Sequence, residues 1–443
     1  YEKIMLLGDK SIKSEEKLTR IYPQKNLFSH IIGQIDDDNK GISGLEKSFN
    51  EKLKQTNEPI KLTVDTDIQF LIREELVKFQ SIFRSKGSTA ILMNVNNGEI
   101  ISMVSYPDFD LNKREKIVDL NFINRATKGV YELGSVFKTF TVAAGLEEGL
   151  ISTDTEFLNL EKRLQCGKSS ISEYDKKIPS DLTVEQILIR SGNIGSVRIG
   201  QKLEIIKLKA FLEKIGILSK INFDIEEVGE PIPFKWGKCK LATVSFGHGI
   251  TTTPLQLAKA YAIISNGGFA VEPSLIKNEL KNYQKKKRII KAGISEKINP
   301  ILRKIVATKE GTAGLANIEG DEVGGKTGTA NKEAIPDQNT TDPRVANSDG
   351  AGKFELSRDP SSSTWLTKNA NDAIRQTKDG KNNWVTVGTV DSWSFIQSIV
   401  VVTSPMGVQT PPAFAATTTM APNSLRSLST GTSFFKRDTI TIV

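Results

Sequence analysis

Histidine and cysteine are scarce in this chain of 443 residues, which contains two of each: His30, His248, Cys166 and Cys239. The two cysteines have no metal-ligand spacing and do not make a disulfide framework. With so few histidines, a histidine-rich metal site is not expected, and a Ser-His-Asp triad would have to use one of these two. Nucleophilic catalysis by this sequence therefore calls for a base of another kind.

A long apolar run is also missing, since no stretch of about 20 apolar residues, the length of a membrane-spanning helix, occurs. The chain begins at Tyr1 rather than Met, so we expect the native N-terminus, with any anchor, to lie outside it. The net charge of +8 comes from scattered lysines and arginines. Their one dense run, Lys285 to Arg288, favours a solvated surface over a nucleic-acid site.

The composition is that of a globular protein, with 38% apolar and 25% charged residues. At roughly 100–200 residues per domain, the length predicts two or three domains. Residues 1–56 are polar and rich in Lys and Glu, which indicates the end of a smaller leading domain. Residues 57–335 form one continuous body, whereas residues 336–443 are rich in Ser, Thr, Asn and Asp.

The body mixes helical and β patterns. Apolar residues at helical spacing from Ile68 to Phe83 predict an amphipathic helix. Two β-prone runs, 89–95 and 99–105, flank Asn97-Gly98, a dipeptide that favours the tight primed turn of a hairpin. Thr253-Pro254 has the pattern of an N-cap and a first helical residue. Helices combined with antiparallel strands indicate a layered α+β domain.

The first of three motifs is Gly134-Ser135-Val136-Phe137-Lys138, followed by an apolar run. Residues three apart lie on one face of a helix, so Lys138 is expected to reach the Ser135 hydroxyl. A serine hydroxyl is a weak nucleophile until a base takes its proton, and a lysine of lowered pKa can be that base. Taken alone the pattern is weak, because it usually marks a cap and a surface lysine.

The second motif is Ser191-Gly192-Asn193, on a predicted turn after a short helix over 184–190. That helix begins with a capping box at Thr183. A serine and an asparagine in such a turn usually just cap backbone groups. The functional interpretation is a proton relay at Ser191 and a substrate amide held by Asn193.

The third motif, Gly325 to Ala330, allows two interpretations. Residues 320–327 match the phosphate-loop pattern G-x-x-x-x-G-K-[ST]. Acidic residues would lie in that phosphate cradle, however, and Gly328 follows where a helix should continue. The alternative is an edge strand beside a catalytic cleft, where the Thr329 amide completes an oxyanion hole and Lys326 attracts a carboxylate.

The three motifs occur in the order known from penicillin-binding proteins and class A β-lactamases. With further segments they make the chain resemble the class B penicillin-binding proteins, and among them the division-type transpeptidases, over about residues 20–332. The segments that carry this resemblance are 33–46, 62–65, 90–107, 124–126, 246–249, 253–257, 310–313 and 324–330.

The resemblance implies a fold and a domain plan. The fold is the α+β penicillin-binding/β-lactamase-like transpeptidase fold, an antiparallel sheet packed with helices, with the remnant of an N-terminal pedestal domain. Residues 1–56 would be that remnant, residues 57–335 the transpeptidase catalytic domain, and residues 336–443 a divergent tail that completes the sheet in one interpretation.

The resemblance also implies the chemistry. Ser135 would attack the penultimate D-alanine carbonyl of a peptidoglycan stem peptide and release D-alanine, after which an amine of a neighbouring strand would attack the acyl-enzyme. Lys138 would be the base for acylation. Ser191, with Lys326, would pass a proton to the leaving amine, and Asn193 would hold a substrate amide.

By the same resemblance, the substrate's terminal carboxylate would bind along the third motif at Lys326, Thr327, Gly328 and Thr329. The β-lactams would acylate Ser135 because they mimic D-Ala-D-Ala. No metal and no organic cofactor is implied. The expected partners are stem peptides, a lipid II glycosyltransferase and other division proteins, and not nucleic acid. The expected location is the periplasmic face of the bacterial inner membrane, with an anchoring helix outside this chain.

The chain departs from the family pattern in two places. Leu133 stands where a proline usually precedes Gly134, and after Lys332 the family's last core strands have no recognisable counterpart. Residues 383–390 and 395–402 are candidate substitute strands; without them the third motif would lose its neighbour in the sheet. Two other functions remain open: a hydrolase of the β-lactamase type and a non-catalytic scaffold of the division machinery.

Overall fold

The computed structural model of the protein describes most of the first 331 residues and a set of strands in the tail. The described ranges are 2–6, 8–9, 11–12, 20–56, 58–83, 85, 87–113, 120–132, 134–167, 169–278, 287–317, 322–331, 356–358, 365–367, 375–378, 384–387, 395–404, 414–418 and 440–442. Leu133 and the basic run's first two residues lie outside them.

The described part contains eleven α-helices. They are α1 (Glu2–Met5), α2 (Ser29–Ile32), α3 (Gly44–Ser48), α4 (Asn50–Gln55), α5 (Thr66–Phe83), α6 (Lys138–Glu147), α7 (Val184–Ile189), α8 (Asn193–Lys214), α9 (Lys238–Val244), α10 (Pro254–Ser265) and α11 (Ala292–Ala307). Reciprocal capping boxes open α7 at Thr183 and α10 at Thr253. Both starts, and the helix over 68–83, are confirmed as predicted from the sequence.

The described strands form one main sheet and three smaller ones. They are β1 (Ser88–Asn94), β2 (Ile100–Tyr106), β3 (Glu156–Phe157), β4 (Arg163–Cys166), β5 (Ser169–Ser172), β6 (Leu182–Thr183), β7 (Glu322–Asn331), β8 (Leu356–Arg358), β9 (Trp365–Thr367), β10 (Arg375–Lys378), β11 (Trp384–Val387), β12 (Phe395–Ser404), β13 (Phe414–Thr418) and β14 (Ile440–Ile442). The main sheet has the order β2-β1-β13-β14-β12-β7. Only its β13–β14 pair is parallel, so the predicted α+β class with an antiparallel sheet is confirmed.

Helices pack on both faces of the main sheet at β1, and one further helix, α6, is buried in the core. Side chains of successive strand residues point to opposite faces, and Ala90, Ile91, Leu92 and Met93 are all buried, so both faces of β1 are covered. Helix α5 packs on β1 and β2, and α10 packs on β1 and β13. Helix α6 is apolar around most of its circumference and buried along its whole length, between α8 and α11.

The β1–β2 hairpin is confirmed, but its predicted tight turn is wrong. The primed two-residue turns need a positive φ at the first central residue (type II′) or at both (type I′), and here Gly98 (φ 78°) has one whereas Asn97, the first, does not. The Gly98 N–H donates to the Asn94 carbonyl instead (2.9 Å). The connection is therefore a longer loop.

The tail supplies the missing neighbour of the third motif. Strand β12 pairs with β7 in antiparallel register over the full length of both strands, 10 residues each. The strand expected over 395–402 is thereby confirmed. The candidate at 383–390 contains β11, but β11 joins a separate four-stranded sheet with β8, β9 and β10 and does not pair with β7. One edge of β7 is covered, and the other remains at the end of the sheet.

The two cysteines are joined, so the expectation that they make no disulfide framework is wrong. Cys166 and Cys239 form a disulfide with a Cα–Cα distance of 5.4 Å, although 73 positions separate them in sequence. The bond fastens the β4–β5 hairpin to the start of α9. A pairing of this kind depends on the tertiary fold, so sequence spacing carried no signal for it.

The leading segment packs directly on the body. Ile31 and Leu45 belong to the same hydrophobic core as the body's helices. In addition, the Gly44 N–H of the leading segment donates to the Glu227 carboxylate of the body (3.2 Å). A domain boundary at residue 56 stays a prediction. Within the described ranges, no helix has the length and apolarity needed to cross a membrane.

Candidate active site

Ser135 lies in a tight 3₁₀ turn, Gly134–Phe137, that continues directly into α6. The helix was predicted to begin at the serine, whereas its α-helical part begins at Lys138. Gly134 has a φ of 60°, and a Cβ atom there would lie 2.2 Å from the Thr329 carbonyl oxygen. Only glycine permits this approach, so the turn that carries Ser135 lies against β7.

Lys138 is fully buried and its amine is held by the second motif. Its Nζ donates to the Ser191 carbonyl (2.5 Å), to Asn193 Oδ1 (2.6 Å) and to Ser191 Oγ (3.2 Å). The expected hydrogen bond between Lys138 and Ser135 is not formed, and the Ser135 hydroxyl has no hydrogen bond to another described residue. The lysine is therefore in the site but directed at Ser191.

Ser191 is the point at which the three motifs meet. The Lys326 Nζ donates to Ser191 Oγ (2.7 Å) and to the Thr327 carbonyl (2.9 Å). Ser191 is 3% exposed and has a φ of 57°, the left-handed conformation that turns the chain from α7 into α8. Its hydroxyl thus lies between two buried amines, one from α6 and one from β7.

Burial sets the charge state of both amines. It lowers the pKa of Lys138 to about 7, while the negative charge of Glu173 opposes this by raising the pKa. Burial, and then the charge of Lys138, hold the pKa of Lys326 well below its usual value. A positive charge on both amines at once is unfavourable, because both are buried and the like charges repel each other. A neutral amine is therefore present near neutral pH, as a general base requires.

Asn193 is fixed from three directions. Its Nδ2 donates to the Ser172 carbonyl (2.8 Å), its backbone N–H donates to Glu173 Oε2 (2.6 Å), and its Oδ1 accepts from Lys138. The second motif was predicted to lie on a turn. In fact only Ser191 and Gly192 do, because Asn193 is the first residue of α8, a helix that is interrupted by a kink at Glu204 (φ 62°). Glu173 was missed by sequence reasoning, since no local pattern marks it.

The third motif is part of strand β7 at the end of the main sheet. Because β7 runs without a break from Glu322 to Asn331, no helix follows the lysine, and the phosphate-loop interpretation is wrong. Thr327 and Thr329 alternate with Gly328, so their side chains share one face of the strand. The Thr327 hydroxyl is bonded to that of Thr312 (2.7 Å).

The two histidines lie in different places: His30 in the leading segment, and His248 in the loop whose Gly247 packs against the Gly134 backbone. His30 is buried in the leading segment, with its Nε2 2.8 Å from the Asn121 carbonyl, and burial lowers its pKa to about 4. The backbone N–H of His248 donates to the Thr243 carbonyl (2.9 Å). The contacts that unite the three motifs are made by serine, lysine and asparagine.

Comparison with known proteins assigns the class that this fold and site define. The chain belongs to the family described as the penicillin-binding protein transpeptidase domain, which matches residues 88–346. The resemblance predicted from the three motifs is thereby confirmed at the level of the family.

Curated relatives and solved structures agree with this assignment. The chain is 31% identical to the probable peptidoglycan D,D-transpeptidase FtsI of Caulobacter vibrioides, over 74% of this chain and 56% of that protein. It is 30% identical to stage V sporulation protein D of Bacillus subtilis, over 75% and 57%. The transpeptidase domain of penicillin-binding protein 3 from Burkholderia pseudomallei has the same fold, with a TM-score of 0.58 at 21% identity over 82% of this chain and 88% of that one. The chain spans less than two thirds of the length of these curated relatives.

Proposed function

We propose that the protein is a serine D,D-transpeptidase that cross-links peptidoglycan stem peptides through an acyl-enzyme on Ser135. The observation that carries the proposal is the convergence of Lys138 and Lys326 on Ser191, with Asn193 bonded to Lys138, beside the turn of Ser135. Several curated relatives are named as peptidoglycan D,D-transpeptidases, among them the proteins of Caulobacter vibrioides and Neisseria gonorrhoeae.

In the acylation step, the Ser135 oxygen attacks the carbonyl carbon of the penultimate D-alanine. The neutral Lys138 amine takes the hydroxyl proton, since the two residues stand on adjacent turns at the start of one helix. The peptide C–N bond then breaks. Ser191, backed by Lys326 at 2.7 Å, passes a proton to the nitrogen of the departing D-alanine. The Lys138 ammonium, whose Nζ lies 3.2 Å from Ser191 Oγ, then returns a proton to Ser191.

In the deacylation step, an amine of a second stem peptide attacks the ester carbonyl and the bond to the Ser135 oxygen breaks. The proton lost by that amine returns to the serine, so the enzyme is regenerated. A β-lactam enters the first step in the same way, with its ring amide as the scissile bond. Its ring opening leaves no departing fragment, so the acyl-enzyme accumulates.

The charge that develops on the attacked carbonyl is stabilised by backbone N–H groups of Ser135 and Thr329 in this proposal. Their proximity has a geometric basis, because a Cβ atom at Gly134 would be 3.2 Å from the Thr329 nitrogen. The substrate's terminal carboxylate lies over the face of β7 that carries Thr327 and Thr329. Its negative charge favours the charged form of the Lys326 amine, whose side chain lies on the other face of the same strand. The substrate backbone pairs with the open edge of β7 beside Gly328.

The disulfide supports a location outside the cytoplasm, because disulfides persist in oxidising compartments such as the bacterial periplasm. We propose the periplasmic face of the inner membrane, with an anchor outside this chain. From the family resemblance we also propose that residues 1–56 are the remnant of a pedestal domain, residues 57–335 the catalytic domain, and residues 336–443 the tail that completes its sheet. The proposed partners are a lipid II glycosyltransferase and other division proteins.

A direct test uses a synthetic stem peptide ending in D-Ala-D-Ala, with and without an acceptor amine. We expect release of D-alanine together with a cross-linked product when the acceptor is present, and neither from the Ser135→Ala variant. D-alanine release with no cross-linked product would identify a hydrolase. A folded wild-type protein that does not release D-alanine would favour a non-catalytic scaffold.

A further inference from the structure

A carboxylate outside the three motifs, that of Glu173, contacts Asn193 of the second motif. Glu173 follows the β4–β5 hairpin and is presented to the N-terminus of α8. Its Oε2 accepts the Asn193 N–H (2.6 Å) and its Oε1 accepts the Ile194 N–H (2.9 Å). Both oxygens of this side chain are thus bound to the first two backbone amides of one helix.

Helix α8 has no side-chain cap from its own N-cap residue, so its first backbone amides are available to Glu173. Its N-cap residue is Gly192, which has no side chain to accept a hydrogen bond. The first amides of a helix have no partner within the helix and carry its positive partial charge. Glu173 supplies both the acceptors and the opposite charge from another part of the chain. The place of Asn193 therefore depends on Glu173.

The same carboxylate acts on the Lys138 amine by its charge. The charged groups that face this amine are Lys326 from β7 and Glu173 from the end of the hairpin, and α8 adds the positive end of its dipole. Glu173 is the one group among these that favours the ammonium form, and it raises the pKa of Lys138 against the larger effect of burial. The link is short, because the Asn193 side chain bonds to Lys138 while its backbone bonds to Glu173.

The hairpin that carries Glu173 is fastened at its far end. The Cys166–Cys239 disulfide ties β4 to α9, and α9 packs on α8. At its near end the Ser172 carbonyl accepts from Asn193 Nδ2 (2.8 Å). The hairpin, α9 and the start of α8 are therefore connected to one another by contacts, and Glu173 lies between the hairpin and the second motif.

We propose that Glu173 is a positioning residue of the Ser135 site, which holds Asn193 in place and whose negative charge favours the ammonium form of Lys138. The proposal rests on the proposed function for its kinetic readout. Glu173 does not contact the reacting atoms; it acts through Asn193 and through the charge of its carboxylate. Its two contributions, hydrogen bonding and charge, can be separated by substitution.

The test measures the second-order acylation rate by a reporter β-lactam across pH in three proteins. Glu173→Gln keeps the length but removes the charge, and Glu173→Asp keeps the charge but shortens the reach. We expect both variants to acylate about tenfold more slowly on the alkaline plateau, in line with the effect of small displacements of catalytic groups. Only Glu173→Gln is expected to move the acidic limb of the profile to lower pH, because it removes the charge that favours the ammonium.

A matched control is Glu161→Gln, which removes a carboxylate that pairs with Arg198 at the surface near the same hairpin. It is expected to leave both the plateau and the limb unchanged. The proposal would be overturned if the acidic limb lay at the same pH in wild type and Glu173→Gln. It would also be overturned if the rate of that variant on the alkaline plateau equalled the wild-type rate. A loss of rate with no movement of the limb in either variant would reduce Glu173 to a structural helix cap.

A second readout separates this proposal from the proposed function. The titration of the Lys138 side chain can be followed by ¹³C NMR of lysine-labelled protein, with a Lys138→Met spectrum for assignment. The midpoint is expected to fall in Glu173→Gln relative to wild type, whether or not β-lactam acylation occurs. If the midpoint falls but no protein is acylated, the proposed function fails while the charge role of Glu173 stands. An unchanged midpoint overturns the role.

Discussion

Replacing Lys138 by methionine is expected to lower the rate of Ser135 acylation by a reporter penicillin about 10³-fold. The expectation follows from the usual contribution of a general base, which lies between about 10² and 10⁴. In the wild type, the rate below pH 7 should fall about tenfold per pH unit, because the amine with a pKa of about 7 must be neutral to accept the proton. The residual rate of the variant should lose that pH dependence.

The methionine side chain is similar in length to lysine and apolar, so the variant is expected to remain folded. It leaves the Ser191 carbonyl and Asn193 Oδ1 without a donor, yet it no longer buries an amine, and these two effects oppose each other. Thermal unfolding checks this point. Lys259→Met is the control, because Lys259, on helix α10, is also largely buried but pairs with Glu272. A Lys138→Met protein that acylates at the wild-type rate would exclude Lys138 as the base.

Replacing Gly134 by alanine is expected to lower the acylation rate about 10²-fold. The new Cβ atom would lie 2.2 Å from the Thr329 carbonyl oxygen, a backbone atom that cannot rotate away. The turn of Ser135 and strand β7 must therefore move apart, and a displacement of about 1 Å between catalytic groups costs about that factor. The measurement is the same acylation assay, with circular dichroism to show that the sheet is intact.

Gly149 provides the matched control for this substitution. It too has a positive φ, 67°, but a Cβ atom there would meet nothing within 4 Å. Gly149→Ala carries the backbone cost of a left-handed alanine, about 1–2 kcal/mol, without any contact at the site. It is expected to lose stability and keep its acylation rate. Equal rates in the Gly134→Ala and Gly149→Ala proteins would show that the approach of β7 to Ser135 is unimportant.

The sequence predicted those features whose signals are local. The helix starts at Thr183 and Thr253 were readable because a capping box needs only four neighbouring residues. The β1–β2 strands were readable from β-prone runs on both sides of a glycine. The geometry of the turn between these strands was not readable, because it depends on the hydrogen bond that the Asn94 carbonyl accepts from the Gly98 N–H in the folded loop. Motif order alone pointed to the family that comparison with known proteins confirmed.

Features that depend on distant parts of the chain were not predictable in the same way. The Cys166–Cys239 bond and the contact of Glu173 with Asn193 each join segments that only the fold brings together. The Lys138 amine was expected at Ser135, but the Ser191 carbonyl and the Asn193 amide oxygen of the second motif accept its hydrogen bonds instead. The roles of the three motifs in catalysis remain proposals that rest on this geometry.

The measurement that bears most directly on the proposed function is the mass of the protein after incubation with benzylpenicillin. The proposal predicts one penicilloyl group per chain, located by peptide mapping on the segment that contains Ser135 and absent from the Ser135→Ala protein. An adduct on another residue, an adduct that persists in Ser135→Ala, or no adduct on a folded wild-type chain would contradict it.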